Sequence, residues 1–84
     1  MSELILPVVH RNGTSRAELL EQACDAGAAI SRALNALYEA GPNQRDYYVK
    51  PGHWEKALAQ HERRIETLKA LLTELQAQAE GIAE

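Results

Sequence analysis

Apolar residues recur at alternating spacings of four and three through the C-terminal part of the chain, from residue 54 to residue 82. The series consists of Trp54, Leu58, His61, Ile65, Leu68, Leu72, Leu75, Ala79 and Ile82. Charged and amide side chains fill most of the positions between them. A heptad-like repeat sustained over about four heptads is typical of a helix that packs along one seam. The pattern therefore predicts a helix over residues 54–83.

An earlier part of the chain carries a second series with the same spacings. Its members are Leu20, Ala23, Gly27, Ile30, Leu34 and Leu37, with Leu19, Ala26 and Ala33 widening the apolar side. Ser15 and Glu18 have the spacing of a capping box, in which the serine hydroxyl accepts a hydrogen bond from the glutamate amide. Gly41-Pro42 is typical of the end of a helix. These signals predict a helix over residues 15–40.

The remaining segments are a loop over residues 41–53 and an arm and turn over residues 1–13. The second helix is expected to start near Pro51–Trp54, because proline suits the first turn of a helix. In the arm, Val8 and Val9 favour extended backbone, Pro7 interrupts a strand ladder, and Asn12-Gly13 indicates a turn. Such a segment needs to pack on the helices or pair with another copy.

Two long helices joined by a short loop pack antiparallel, so the predicted fold is all-α: a two-helix hairpin with a short extended N-terminal segment. One hairpin leaves Leu19, Ala26, Ala33, Leu71 and the Leu4–Val9 segment without cover. We therefore expect residues 1–84 to form a single helical-hairpin domain that assembles into a homo-oligomeric helical bundle.

Composition narrows the functional classes. The chain has 84 residues, one cysteine and a net charge of −3. This charge argues against a nucleic-acid partner, which usually meets a basic surface. The apolar Met1–His10 segment lacks a basic start and is too short for a signal peptide or a membrane span, and a lone cysteine fits a reducing compartment. The sequence thus predicts a cytoplasmic protein without a membrane partner.

The first candidate site is the turn before the first helix, with His10, Asn12, Gly13 and Thr14 as its residues. Free amides at a helix N-terminus suit a phosphate or carboxylate, and Arg11 adds charge. The alternative is a turn followed by an ordinary capping box, which explains Gly13 and Thr14 without a ligand.

The second candidate site is the loop between the helices. Its residues are Asn43, Arg45, Asp46, Tyr47, Tyr48, Lys50 and Trp54. Aromatic rings can stack on a base, and Arg45 and Lys50 can bind phosphate. The alternative is that Tyr47, Tyr48 and Trp54 plug the end of the bundle while Asp46 pairs with Arg45. Both interpretations stay open from the sequence.

Other polar residues have simpler explanations. His61 lies on the second seam and is expected to be a hydrogen-bonded core residue, and Cys24 is expected to be a small buried residue. No metal-ligand spacing, phosphate loop or nucleophile motif is present, so neither a metal nor a cofactor nor an enzymatic activity is predicted.

The two candidate sites are expected at opposite ends of one hairpin, about a helix length apart. In an oligomer with antiparallel copies, the turn of one copy meets the loop of the next. A composite pocket would then repeat by symmetry.

The motifs His-x-Asn-Gly-Thr, at residues 10–14, and Pro-Asn-x-Arg-Asp-Tyr-Tyr, at residues 42–48, resemble those of small uncharacterised proteins of tailed phages and prophages. The layout is also similar to phage helical-hairpin proteins that sequester cyclic nucleotides against host immunity. The latter share the Pro-x-x-Arg-acidic stretch, here Pro42, Arg45 and Asp46, and hold ligands between protomers. The other loop residues depart from their pattern, so the resemblance does not specify a ligand.

These features lead to one expectation and two alternatives. The expectation is a non-enzymatic phage counter-defence protein that sequesters a nucleotide-like or other anionic small molecule between protomers, in the host-cell cytoplasm. The first alternative is a protein-interaction module, an inhibitor or assembly adaptor, that binds a host protein. The second is a purely structural coiled-coil oligomer.

Overall fold

The computed structural model describes residues 3–84 of the chain. It contains two α-helices, α1 (Arg16–Glu39) and α2 (His53–Ala83), and a 3₁₀ turn at Gln44–Asp46 between them. Residues 3–84 contain no strand, which confirms an all-helical fold for this part of the chain. Neither helix is long and apolar enough to cross a membrane. Residues 1 and 2 of the predicted arm lie outside the described range.

The start of α1 is capped by Ser15. Its Oγ accepts a hydrogen bond of 3.2 Å from the Glu18 amide, and its carbonyl accepts one of 2.9 Å from the Leu19 amide. The serine half of the predicted capping box is therefore confirmed. The return bond from the Glu18 carboxylate does not occur among the hydrogen bonds of residues 3–84. The amides of the first turn have no partner within the helix, and the cap gives one of them, that of Glu18, an acceptor. The cap therefore favours a helix start at this point.

The start of α2 depends on glycine rather than on a capping side chain. Gly52 is the N-cap residue and has a φ of 79°, in the left-handed region. A β-carbon is disfavoured in this conformation, which explains the need for glycine. Pro51 precedes this residue and lies outside the helix, so its predicted place in the first turn is wrong.

The helices pack antiparallel along the two predicted seams. Gly27 of α1 lies against Leu72 of α2, where a β-carbon on the glycine would be 3.9 Å from Leu72 Cδ1. Further along, Gly41 lies beside His61, so later residues of α1 meet earlier residues of α2. Every residue of both seams is buried or half-buried. The heptad-like spacing therefore predicted the packed side of each helix correctly.

This packing produces only a thin core. Within residues 3–84, the buried residues are Ala23, His61 and Ile82, and no large side chain is fully buried. The radius of gyration is 18.1 Å, whereas a compact domain of this length has about 12 Å. The accessible surface is 6668 Å², against about 5,000 Å² for a compact monomer of this mass. The hairpin thus exposes far more surface than a compact domain does.

The N-terminal arm lies across the last turn of α2. Leu6 covers Gly81, where a β-carbon would come within 2.5 Å of Leu6 Cδ1. Ile5 and Val8 remain exposed, and residues 3–10 form no strand. The arm is therefore held by a side-chain contact on the helix, which is one of the two predicted ways of covering it.

Candidate functional site

The two predicted sites lie at opposite ends of the hairpin. The turn at residues 10–14 is at the open end, where α1 starts and α2 finishes, and the loop at residues 41–52 forms the closed end. The 24 residues of α1 separate them by about 36 Å. One copy therefore does not bring the two sets together, and a composite pocket needs a second copy.

Local hydrogen bonding accounts for much of the open-end turn. The Gly13 amide donates to the His10 carbonyl at 3.2 Å, which closes the turn. The His10 ring lies over Gly13, because a β-carbon there would be 2.7 Å from His10 Nε2. The group that comes close to Gly13 is thus the protein's own imidazole, which has to shift if a β-carbon is added there. Asn12 and Thr14 are exposed.

The closed-end loop is organised by Asn43. Its Oδ1 accepts a hydrogen bond of 3.1 Å from the Arg45 amide, and its carbonyl accepts one of 3.0 Å from the Asp46 amide. This is the geometry of an asparagine that starts a turn. The Asn43 side-chain oxygen is therefore engaged in shaping the loop, while the side chains of Arg45 and Asp46 remain exposed.

Aromatic packing closes part of this end. The ring centroids of Tyr47 and Trp54 are 6.3 Å apart with planes tilted by 45°, and both side chains are half-buried. Tyr48, by contrast, is 74% exposed. Among residues 3–84, the only ion pair joins Lys69 to Glu66. The plug interpretation thus holds for Tyr47 and Trp54, but Tyr48 takes no part and Asp46 does not pair with Arg45.

A small recess opens beside the Tyr47 ring, between the loop and α2. We call it the closed-end recess; its volume is about 200 Å³. It is lined by Ala40, Pro42, Tyr47, Ala57, Gln60, His61 and Arg64. Of the residues predicted for a site, only Tyr47 lines it. The sequence interpretation missed Gln60 and Arg64, although their spacing to Ala57 places all three on one side of α2.

His61 is the most buried polar residue of the recess. It is 9% exposed, which confirms its predicted place in the core, but its ring has no hydrogen bond among residues 3–84. Within residues 3–84, no side-chain nitrogen is both fully buried and without a hydrogen-bond partner. The ring nitrogens of His61 therefore remain accessible to solvent. The closed-end recess, which His61 lines, provides this access.

The recess offers hydrogen-bond donors and positive charge without an opposing carboxylate. Arg64 contributes a guanidinium, Gln60 an amide, Tyr47 a phenol and His61 an imidazole, and no acidic residue is in the lining. This set suits a phosphate or carboxylate group, because arginine and neutral donors satisfy several anionic oxygens together. Tyr47 also adds an aromatic ring to the lining, a group on which planar ligands can stack.

Cys24 and potential metal ligands contribute nothing to this site. Cys24 is exposed on α1 rather than buried, so that prediction is wrong. It lies one position beyond the seam residue Ala23, on the side of the helix that faces away from α2's arginines. Residues 3–84 contain no group of three His, Cys, Asp or Glu side chains placed to hold a metal ion.

Comparison of the chain with known protein families, with curated proteins and with solved structures found no match.

Proposed function

We propose that the protein is a non-enzymatic binding protein that holds the anionic group of a small, nucleotide-like molecule in the closed-end recess. The observation that supports this best is the donor set of Gln60, His61 and Arg64 beside an aromatic ring, with no carboxylate in the lining. A structural plug alone does not need an unpaired guanidinium next to a buried imidazole.

The size of the recess indicates how such a ligand binds. Sites for complete small molecules usually measure about 300–1,000 Å³. At about 200 Å³, the recess holds a phosphate and part of a sugar or base, but not a whole nucleotide. The rest of the ligand then lies over the exposed loop residues Arg45, Tyr48 and Lys50 or against another copy of the chain. This agrees with the expected pockets between protomers.

The biological use that fits this chemistry is sequestration. A protein without catalytic groups that binds a nucleotide signal lowers its free concentration in proportion to the number of sites. The resemblance to phage helical-hairpin proteins supports a counter-defence role in the host-cell cytoplasm.

Titration calorimetry with pyrophosphate, ADP-ribose and a cyclic dinucleotide tests the binding proposal. We expect at least one probe to bind, with affinity about 10-fold weaker in Tyr47→Ala and in Gln60→Ala, since each removes a side chain that lines the recess. Matched controls are Tyr38→Ala and Gln76→Ala, which remove the same side chains from exposed positions outside the recess. Absence of binding by all three probes, or equal losses in the controls, would show that the proposal is wrong.

A second candidate function is binding of a host protein through the loop. The observation that favours it is the pair Tyr48 and Val49, which are 74% and 76% exposed at the closed end. Adjacent exposed apolar side chains are typical of contact sites for another protein. A photo-crosslinking residue at position 48 would capture one defined host protein in cells, whereas the same residue at position 73 on α2 would not.

A further inference from the structure

One side of the hairpin is rich in small and apolar residues. On it, Ala26 and Ala33 of α1 and its C-cap residue Ala40 lie on the same side as Arg64 and Thr67 of α2, and the helical repeat adds Leu71. We call this side the alanine face. Its charged residues are Arg63 and Arg64, which line its groove, and Glu74, which the helical repeat places on the same side. The opposite side contains several: Glu21, Glu62, Glu66, Lys69 and Glu80. Removing the alanine face from water therefore costs less desolvation free energy than removing the opposite side.

The alanine face contains an open apolar groove in its closed-end half. The volume of the groove is about 620 Å³, and its lining includes Ala33, Ala36, Thr67 and Leu68 together with Arg63 and Arg64. Leu71, one turn further along α2, is 40% exposed beside it. In a dimer, the projecting leucine of each copy can fill the groove of the other, which a single copy cannot do.

Two opposite charges of the alanine face, Arg64 and Glu74, are placed symmetrically. Arg64 and Glu74 are each five residues from residue 69, which is within one residue of the middle of α2. A twofold axis across α2 at this level sets Arg64 of each copy opposite Glu74 of the other. Among residues 3–84, neither side chain has an ion-pair partner in its own copy. Charge complementarity therefore favours antiparallel copies.

The same axis matches the shapes. It places Leu71 of one copy opposite Thr67 of the other, at the groove. On α1, residue 27 lies beside residue 72, so the axis passes near residue 30 and sets Ala33 opposite Ala26 of the second copy. Small residues on both sides let the α1 helices approach closely.

The available area is sufficient for a stable pair. Two packed helices are about 20 Å wide, and α1 is about 36 Å long, so the face offers about 700 Å² per copy. A standard interface uses about 800 Å² per partner. The surface that the hairpin exposes beyond a compact monomer exceeds this amount.

We propose that the alanine face is the interface with a second copy of the chain, in an antiparallel twofold dimer with Leu71 in the partner groove and Arg64 paired with Glu74. In this arrangement Gly81, which carries Leu6 of the arm, lies opposite Ala57 of the second copy. The arm of one copy thus completes the wall of the closed-end recess of the other. Only this last consequence rests on the proposed binding function. Arg64 lines both the groove and the closed-end recess, and the five N–H donors of its guanidinium are enough for Glu74 of the second copy and for a ligand. Arg63 leaves a further positive charge at the groove.

Charge exchange tests the pairing. By sedimentation velocity at micromolar concentration, we expect the wild-type protein to have twice the mass of one chain. Arg64→Glu weakens self-association about 10-fold or more, because it sets like charges opposite each other twice. The double variant Arg64→Glu with Glu74→Arg restores the dimer. A monomeric wild-type protein, or a double variant no better than Arg64→Glu alone, would overturn the proposal.

A substitution at the groove tests the shape match. Leu71→Glu is expected to weaken the dimer about 100-fold, as loss of a central buried anchor does. Thr73→Glu adds the same charge two residues away on the other side of α2 and leaves the dimer intact. Helicity by circular dichroism checks that each variant folds. Equal dissociation by Leu71→Glu and Thr73→Glu would contradict the assignment of the face.

Spin labels report the orientation independently of affinity. In a Cys24→Ser protein labelled at a cysteine replacing Ala83, the antiparallel dimer separates the two labels by about 40 Å along the helix axis. A parallel dimer places them within about 20 Å, which would overturn the proposed orientation. A correct dimer that binds none of the anionic probes would refute only the proposed function.

Discussion

Gly27 in the middle of α1 allows a quantitative test of the packing between the helices. A glycine inside a helix is about 1 kcal/mol less favourable than alanine. A β-carbon on Gly27 would be 3.9 Å from Leu72 Cδ1, which is an ordinary contact without strain. Burying about half of this methyl group adds about 0.4 kcal/mol. Gly27→Ala should therefore raise the free energy of unfolding by about 1.4 kcal/mol.

The matched control is Gly81→Ala in α2. Its β-carbon would meet Leu6 Cδ1 at 2.5 Å and Leu6 Cγ at 3.3 Å, so the leucine side chain has to shift away from the helix. Leu6 is 39% exposed, and undocking its buried part costs about 1 kcal/mol. This loss offsets the gain in helix propensity, so we expect almost no net change.

Thermal unfolding followed by circular dichroism at one fixed protein concentration measures both variants. The expected gain for Gly27→Ala corresponds to a Tm increase of roughly 5–10 °C for a domain of this size. The concentration has to be held constant because self-association raises Tm by mass action. If Gly27→Ala does not stabilise the protein, or if Gly81→Ala stabilises it equally, the described contacts of α1 with α2 and of the arm with α2 are wrong.

Three further substitutions test the ends of the helices. Ser15→Ala removes the acceptor of the Glu18 amide and should cost about 1 kcal/mol in urea unfolding, whereas Thr14→Ala should cost almost nothing. Gly52→Ala should cost about 1 kcal/mol because φ is 79° there; an unchanged urea midpoint would contradict the left-handed N-cap. Trp54→Ala should cost about 2 kcal/mol, less than for a fully buried ring, and should alter the near-ultraviolet dichroism through Tyr47; an unaltered spectrum would argue against their contact.

Much of the fold could be predicted because its determinants are local. Contacts between residues three and four apart define the packed side of a helix, so the spacing of Leu58, Ile65 and Leu72 is sufficient to predict α2. The cap at Ser15 depends on two residues three positions apart. The end of α1 can be predicted from Pro42, because proline has no backbone N–H to donate and cannot continue a helix.

The candidate site could be predicted only in part, since its residues are distant in sequence. Tyr47 was expected in a site because the loop is rich in aromatic and polar residues. Gln60 and Arg64 lie among the charged and amide positions between the seam residues, which the pattern does not distinguish from ordinary helix surface. Only the course of the loop brings Ala40 and Pro42 next to them. The use of the Asn43 side chain as a turn acceptor likewise depends on backbone geometry that composition does not reveal.

The sequence by itself determined two amphipathic helices, their seams and the cap of the first, because these depend on neighbouring residues along the chain. Only the tertiary structure decided where the arm lies, which polar groups line the closed-end recess and which residues of the two helices share the alanine face. These depend on the register of one helix against the other and of the arm against α2, which contacts such as Gly27 with Leu72 and Leu6 with Gly81 define. Such contacts join residues about 45 to 75 positions apart, beyond the range of any local pattern.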